Sequence, residues 1–178
     1  MKLLSIIWKL TKRFWSDLYK EIRREYFVLD INSLGRYPAN ALSNFAEYHF
    51  IIDEVECYSM EGFIQSLKTE NPYYQQRMCR FTGMQAKERG TRAGKVRDWR
   101  ESGTLLWQGR EINRFGEDYQ KLLDKVFDAL FENKEFREAL QASGSRKLIH
   151  SVGKNDPRQT VLTEKELCNQ LYRLRNKL

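Results

Sequence analysis

Apolar residues recur at helical spacing in separate stretches of this chain, and that period decides what it can fold into. Tyr119, Leu122, Leu123, Val126, Phe127 and Leu130 lie three or four apart, a pattern running from Glu117 to about Leu130. A 3.6-residue helix gathers such side chains into one stripe, which has to be buried against other elements. A shorter helix carries Phe136 and Leu140 and closes at Gly144. Thr163-Glu164-Lys165-Glu166 reads as a capping box that opens a last helix with Leu167, Leu171 and Leu174 on one face. At the other end, Leu3, Ile7, Leu10, Phe14, Leu18 and Ile22 form a stripe between Lys2 and Tyr26, with Lys12, Arg13, Lys20, Arg23 and Arg24 elsewhere on the surface. Such a helix packs onto its domain, lies on a membrane surface or meets a partner helix; packing is the commonest fate. Asp17, Glu21 and Glu25 dilute the cationic face and weaken the membrane reading.

Between these stretches the pattern changes. Gly35 and Pro38 punctuate an irregular segment from Asp30 to Leu42. Tyr48 to Asp53 and Val55 to Tyr58 read as a short hairpin. Ser59 is a credible N-cap for a helix carrying Glu61, Gln65 and Lys68, which Asn71-Pro72 stops. Gly62 inside that helix lowers its propensity, so it needs tertiary support. A further helix is expected from Tyr73 to Lys87, ending near Gly90, whereas Lys147 to Gly153 reads either as extended or as a helix leading into a loop. The expected architecture is mainly α with a small β-hairpin element. One domain spans 29–178 and an amphipathic helical arm spans 1–28.

The composition excludes several classes. A chain of 178 residues with 41% hydrophobic and 13% aromatic residues can bury a substantial core. Cys57, Cys79 and Cys168 are scattered without a CxxC pair, which points to a reducing compartment rather than a disulfide framework or zinc site. His49 and His150 are the two imidazoles and form no metal-ligand spacing, so no metal and no cofactor is expected. The N-terminus is interrupted by charge too early for a signal peptide, and no run reaches transmembrane length, so the expected location is cytoplasmic, with no stable membrane insertion. Gly90-Thr91-Arg92-Ala93-Gly94-Lys95-Val96 resembles a phosphate loop only superficially: the glycine spacing is one residue short and Val96 stands where Ser or Thr would hold magnesium. A formal charge of +7 favours a polyanionic partner, and Arg77, Arg80, Lys87, Arg89, Arg92, Lys95, Arg97 and Arg100 concentrate that charge.

Glu61, Gln65 and Lys68 stand at i, i+4 and i+7, which on a helix stacks a carboxylate, an amide and an amine along one face. A carboxylate and an amine converging near a short polar loop suit sugar chemistry. Taken alone, Glu61 is equally a carboxylate favoured by a helix N-terminus, and Lys68 an exposed lysine. Ser43 and Asn44 suit hydrogen bonds to a diphosphate or ribose, or cap their own loop. Phe45, Tyr119 and Trp107 are candidates to stack on a base, although most aromatics in such a chain are core.

At these residues the chain resembles the NADAR (NAD- and ADP-ribose-associated, YbiA-like) family, in a divergent branch. The resemblance rests on Ser43-Asn44-Phe45, a hairpin, then Glu61, Phe63, Gln65 and Lys68. It continues through Ala86 to Gly90, an aromatic matched by Tyr119 with Trp99 and Trp107 as rivals, Lys147-Leu148, Asn155-Asp156 and the helix from Asn169 to Arg175. It covers roughly Ser33 to Arg175. His150 stands where the family has a glutamate, Pro157-Arg158-Gln159 replaces its Trp-Gly, and Glu101 to Gly116 looks like an insertion. The resemblance implies N-glycosidase chemistry on ribose phosphates. One branch strips ADP-ribose from guanine in DNA, reversing DarT-type modification in the manner of an antitoxin paired with a DNA ADP-ribosyltransferase toxin. Another acts on phosphoribosylated riboflavin-pathway intermediates, and a non-catalytic ADP-ribose or nucleic-acid binding module is the third reading. The catalytic set it implies is Glu61, Lys68, Asp156 and His150. Ser43, Asn44, Phe45, Gln65, Tyr119 and Trp107 would bind an ADP-ribose-containing small molecule or ADP-ribosylated DNA, and Arg80, Lys87, Arg89 and Arg92 would grip the nucleic acid.

Overall fold

A computed structural model describes residues 14–15, 27–93 and 98–178. The expected arm at 1–28 falls almost wholly outside the described residues. Among those residues the fold is mixed α/β: seven helices around three two-stranded sheets. The helices agree with a mainly α chain, but the strands go beyond one hairpin.

β1 (Val28–Asp30) pairs in parallel with β6 (Lys147–Ile149), Leu29 opposite Leu148. Parallel partners this far apart leave no local pattern, and the ambiguous Lys147 segment is settled as a strand by this pairing. β2 (Phe50–Ile52) and β3 (Val55–Cys57) form the expected hairpin. Its two turn residues, Asp53 and Glu54, have φ of 48° and 64°, as a two-residue primed turn requires. A second hairpin joins β4 (Thr104–Trp107) to β5 (Arg110–Asn113) through Gln108-Gly109, with φ of 47° and 78°.

α1 (Met60–Ser66) is capped by Ser59, whose hydroxyl accepts from the Gly62 N–H at 2.9 Å. It ends one turn earlier than expected. Lys68 lies past its C-cap, with its N–H on the Gln65 carbonyl at 3.3 Å, while the Leu67 carbonyl accepts from Leu106 N–H of β4 at 2.9 Å. Asn71-Pro72 does not stop this helix; it starts the next. Asn71 caps α2 (Pro72–Cys79), with Pro72 in the first turn, where its missing N–H costs nothing. The single helix expected from Tyr73 to Lys87 is broken after Cys79. Tyr58 N–H bonds the Cys79 carbonyl and the Ser59 hydroxyl donates to the Phe81 carbonyl, both at 2.9 Å, drawing the chain onto β3. α3 (Gly83–Ala93) follows and runs through Gly90.

α4 (Trp99–Ser102) precedes the second hairpin. α5 (Glu117–Phe131) buries the six residues its periodicity marks. α6 (Lys134–Ala142) buries Phe136 and Leu140, with Gly144 at φ 55° just beyond. α7 (Glu164–Arg175) starts with both bonds of the capping box. The core runs through α1, α5, α6 and α7 and includes Trp107 and Tyr119. The three cysteines are buried thiols.

Candidate active site

All seven residues of α1 are buried, so Glu61 and Gln65 are held inside the protein. Gly62 makes this possible: a Cβ there would sit 2.5 Å from the Phe81 carbonyl oxygen and 2.9 Å from that of Cys79. The exit of α2 thus packs directly on α1 backbone. Nearly one turn further along α1, Gly90 of α3 faces Gln65, whose Oε1 would lie 1.9 Å from an added Cβ. Two glycines, one in each helix, set the depth of the site.

Within this slot Gln65 bridges two charged groups. Its Nε2 donates to Glu61 Oε1 at 2.7 Å, and its Oε1 accepts from Lys68 Nζ at 2.5 Å. Asn44 Nδ2 donates to the other Glu61 oxygen, and the Glu61 N–H donates to the Asn44 carbonyl at 2.8 Å. The loop from Ser43 to Phe45 is therefore pinned to the start of α1. The Ser43 hydroxyl accepts from the Phe45 N–H at 3.2 Å and shapes that loop. Phe45 is half-buried, with Lys87 Nζ 5.6 Å from its ring centre.

Burial raises the Glu61 carboxyl above its ordinary range; the bond from Gln65, the Lys68 and Lys87 charges and the bond from Asn44 offset this only in part. Lys68, half-buried, is brought down to about 8, chiefly by desolvation; Glu61 opposes that change, Arg100 adds to it, Asp98 opposes and Lys87 adds. A carboxylate whose proton affinity is raised stands beside an amine whose affinity is lowered. That suits a proton acceptor and a nucleophile or phosphate ligand at neutral pH.

Other expected site residues are placed elsewhere. Tyr119 is fully buried, its hydroxyl donating to the Val161 carbonyl. Trp107 is buried edge-on against Phe63 at 5.0 Å between ring centres, its Nε1 donating to Asp53 at 2.8 Å. Both are core residues with no ring face left for a base. His150 Nδ1 bonds the Ile31 carbonyl at 2.6 Å and its backbone N–H donates to Glu164, so the ring steadies the loop after β6. Asp156 is exposed and accepts from Arg158 N–H and Gln159 Nε2 within its own turn. Through that turn, the Gln159 carbonyl meets Arg100 at 3.4 Å, and Arg100 is one of the charges acting on Lys68.

Beyond Lys68 a cleft of about 540 Å³ opens between α2 and α3. Arg89 and Arg92 line it from α3, and Arg77 and Tyr74 from α2. Of the other expected nucleic-acid residues, Lys87 stands over Phe45, and Arg80 faces Glu56 at 3.9 Å. Tyr74 is the side chain most easily missed from sequence, because an exposed aromatic on a polar helix looks the same as a core aromatic until the fold shows which face is covered.

Residues 36–176 match the model of the bacteriophage protein GP30.3 family, a NADAR-type family. This chain is a GP30.3 family member. A relative is the uncharacterized 17.1 kDa protein of the Gp30-rIII intergenic region of Enterobacteria phage T4, 36% identical over 152 residues, covering 84% of this chain and 98% of the relative. The NMR structure of the E. coli protein YbiA has the same fold, with a TM-score of 0.56 at 18% identity over 85% of this chain and 84% of YbiA. Ser43, Asn44, Phe45, Glu61, Gln65 and Lys68 all lie inside the GP30.3 match.

Proposed function

We propose that this GP30.3 family member is an N-glycosidase that removes ADP-ribose from a nucleobase, guanine in DNA. The observation that carries the reading is the hydrogen-bonded row Asn44–Glu61–Gln65–Lys68, in which a buried acid and a half-buried amine are held apart by a neutral amide. Cleavage of a ribose N-glycosidic bond builds positive charge on the anomeric carbon. The Glu61 carboxylate, fixed by two amide donors, stabilises that charge and takes the proton of the attacking water. The water oxygen ends on the anomeric carbon and a proton ends on the departing base nitrogen, so no oxidant or metal enters the balance. Lys68 holds phosphate or ribose oxygens, or adds through its neutral form to the aldehyde of an opened ribose to give an imine and release water.

The cations near this centre favour a polyanion over a single small metabolite, because a phosphoribosylated intermediate has no need of Arg77, Arg89 and Arg92 as well as Lys68. The test is release of ADP-ribose from an oligonucleotide modified on guanine. Wild type is expected to release it, with loss of at least a hundredfold in Glu61→Gln. Tight binding of ADP-ribose with no release from any modified substrate would instead make the protein a binding module. Borohydride present during turnover is expected to trap an adduct on the wild type and none on Lys68→Arg. Turnover without any trapped adduct leaves Lys68 as a ligand alone.

A further inference from the structure

We propose that the cleft between α2 and α3 is a groove for an unpaired nucleic-acid strand, with Tyr74 as its stacking platform. The proposal rests on the glycosidase reading of the Glu61 centre, which supplies the reason for holding a strand beside Lys68. Lys68 lines the cleft, and Met78 and Phe81 give it apolar surface. Its volume of about 540 Å³ has room for roughly one or two nucleotides. Tyr74 is 54% exposed, its ring braced at an angle against that of Tyr73 with 5.7 Å between ring centres, which leaves ring surface open to the cleft. Arg89 stands over Phe81, its guanidinium carbon 4.1 Å from the ring centre, which adds a second aromatic–cation pair to the cleft.

Aromatic faces interleaved with cations are what sequence-tolerant binding of a single strand uses: bases stack while arginines meet the phosphates. A duplex keeps its bases paired and stacked inside and cannot bring a ring to Tyr74 without unpairing. Four cations line the cleft, Lys68, Arg77, Arg89 and Arg92, against the single carboxylate of Glu70. A lone diphosphate carries two charges. The cations that line the cleft outnumber it.

Fluorescence anisotropy with the full chain and an unmodified labelled oligonucleotide of about a dozen nucleotides tests the groove. Single strands are expected to bind at least tenfold tighter than the same sequence as a duplex, and parallel DNA and RNA arms show which polymer is preferred. Tyr74→Ala is expected to weaken the strand about tenfold and Tyr74→Phe to retain it. Loss of Arg92 is expected to reduce the salt slope by roughly 0.7. Since Tyr74 is exposed, circular dichroism is expected to be unchanged in both tyrosine variants. Equal affinity for duplex and single strand overturns the proposal. So does a Tyr74→Ala variant that loses free ADP-ribose but keeps the strand, because the cleft is then the seat of the ADP-ribose. Release of ADP-ribose from modified guanine with no Tyr74-dependent strand binding removes the groove and leaves the glycosidase. Tyr74-dependent strand binding without release from any modified substrate does the reverse.

Discussion

Glu61 and Lys68 are both displaced from their ordinary protonation by burial, and in opposite senses. For Lys68, whose amine is brought down to about 8, the unfolded chain binds the extra proton between pH 8 and about 10.5. The folded protein therefore carries a burial cost below pH 8 that disappears as pH rises through that window. Comparing wild type with Lys68→Met in urea at pH 7 and pH 9.5, wild type is expected to gain roughly 1–2 kcal/mol relative to the variant, a figure reduced for partial exposure. No relative change, or a loss, would contradict the half-buried position of the amine. Glu61 works the other way. Its raised carboxyl makes its contribution largest below the unfolded value of 4.5 and lost as pH rises through the folded value. At neutral pH the fold thus holds the Glu61 carboxyl where its burial opposes folding, as sites shaped for chemistry commonly do.

α1 and α3 meet where a side chain is missing. Gly90 was legible as a helix end, because glycine commonly ends helices. In the fold it lies within α3, and its role is to let Gln65 pass. Gly90→Ala is expected to destabilise by about 1–3 kcal/mol through overpacking and to slow turnover by displacing Gln65 from Glu61 and Lys68. Placing Gln65→Gly beneath it is expected to remove most of the added clash, since the nearest atoms, Oε1, Cδ and Cβ, all belong to that one side chain. Additive costs in the double variant would show that α3 meets something else. The break between α2 and α3 has the same origin: carbonyls of Cys79 and Phe81 are taken by Tyr58 and Ser59, partners some twenty residues earlier, which no local period reveals. Gly62 was legible as needing support, and the carbonyls packed against it are that support.

The segment from Glu101 to Gly116 reads as an addition to the family pattern, yet it is built into the molecule. Gln75 Nε2 donates to the Leu106 carbonyl at 2.9 Å, and Leu105 and Trp107 are core residues. Arg114, just after β5, is 1% exposed and forms two bonds with Glu166 at 2.9 and 2.8 Å, its guanidinium 4.2 Å from the Tyr119 ring centre. Glu166 also accepts from Thr163 in the cap of α7, so one pair joins hairpin, α5 and the last helix. Although burial acts to raise it, the Glu166 carboxyl is held below its ordinary range by Arg114, Thr163 and Gln120. Arg114→Met is expected to cost about 3–5 kcal/mol in a denaturant melt, because it strands the partner carboxylate. A cost under 1 kcal/mol would mean the pair is dispensable.

The local parts of this protein were legible in the sequence because their causes are local. The stripe of α5, the Thr163–Glu166 box, the Ser59 cap and the first hairpin each follow from spacing within a dozen residues. Glu61, Gln65, Lys68 and the Ser43–Phe45 loop were legible as a set, and the fold joins them by hydrogen bonds. Tyr119 was legible twice, as an inward helix residue and as a base-stacking ring, and its complete burial leaves the first. Only the tertiary structure decided how deep Glu61 lies, how far the proton affinity of Lys68 falls, and which arginines share a cleft with Tyr74. Those depend on close approach of distant segments at Gly62 and Gly90, and on desolvation, which periodicity in a sequence does not record.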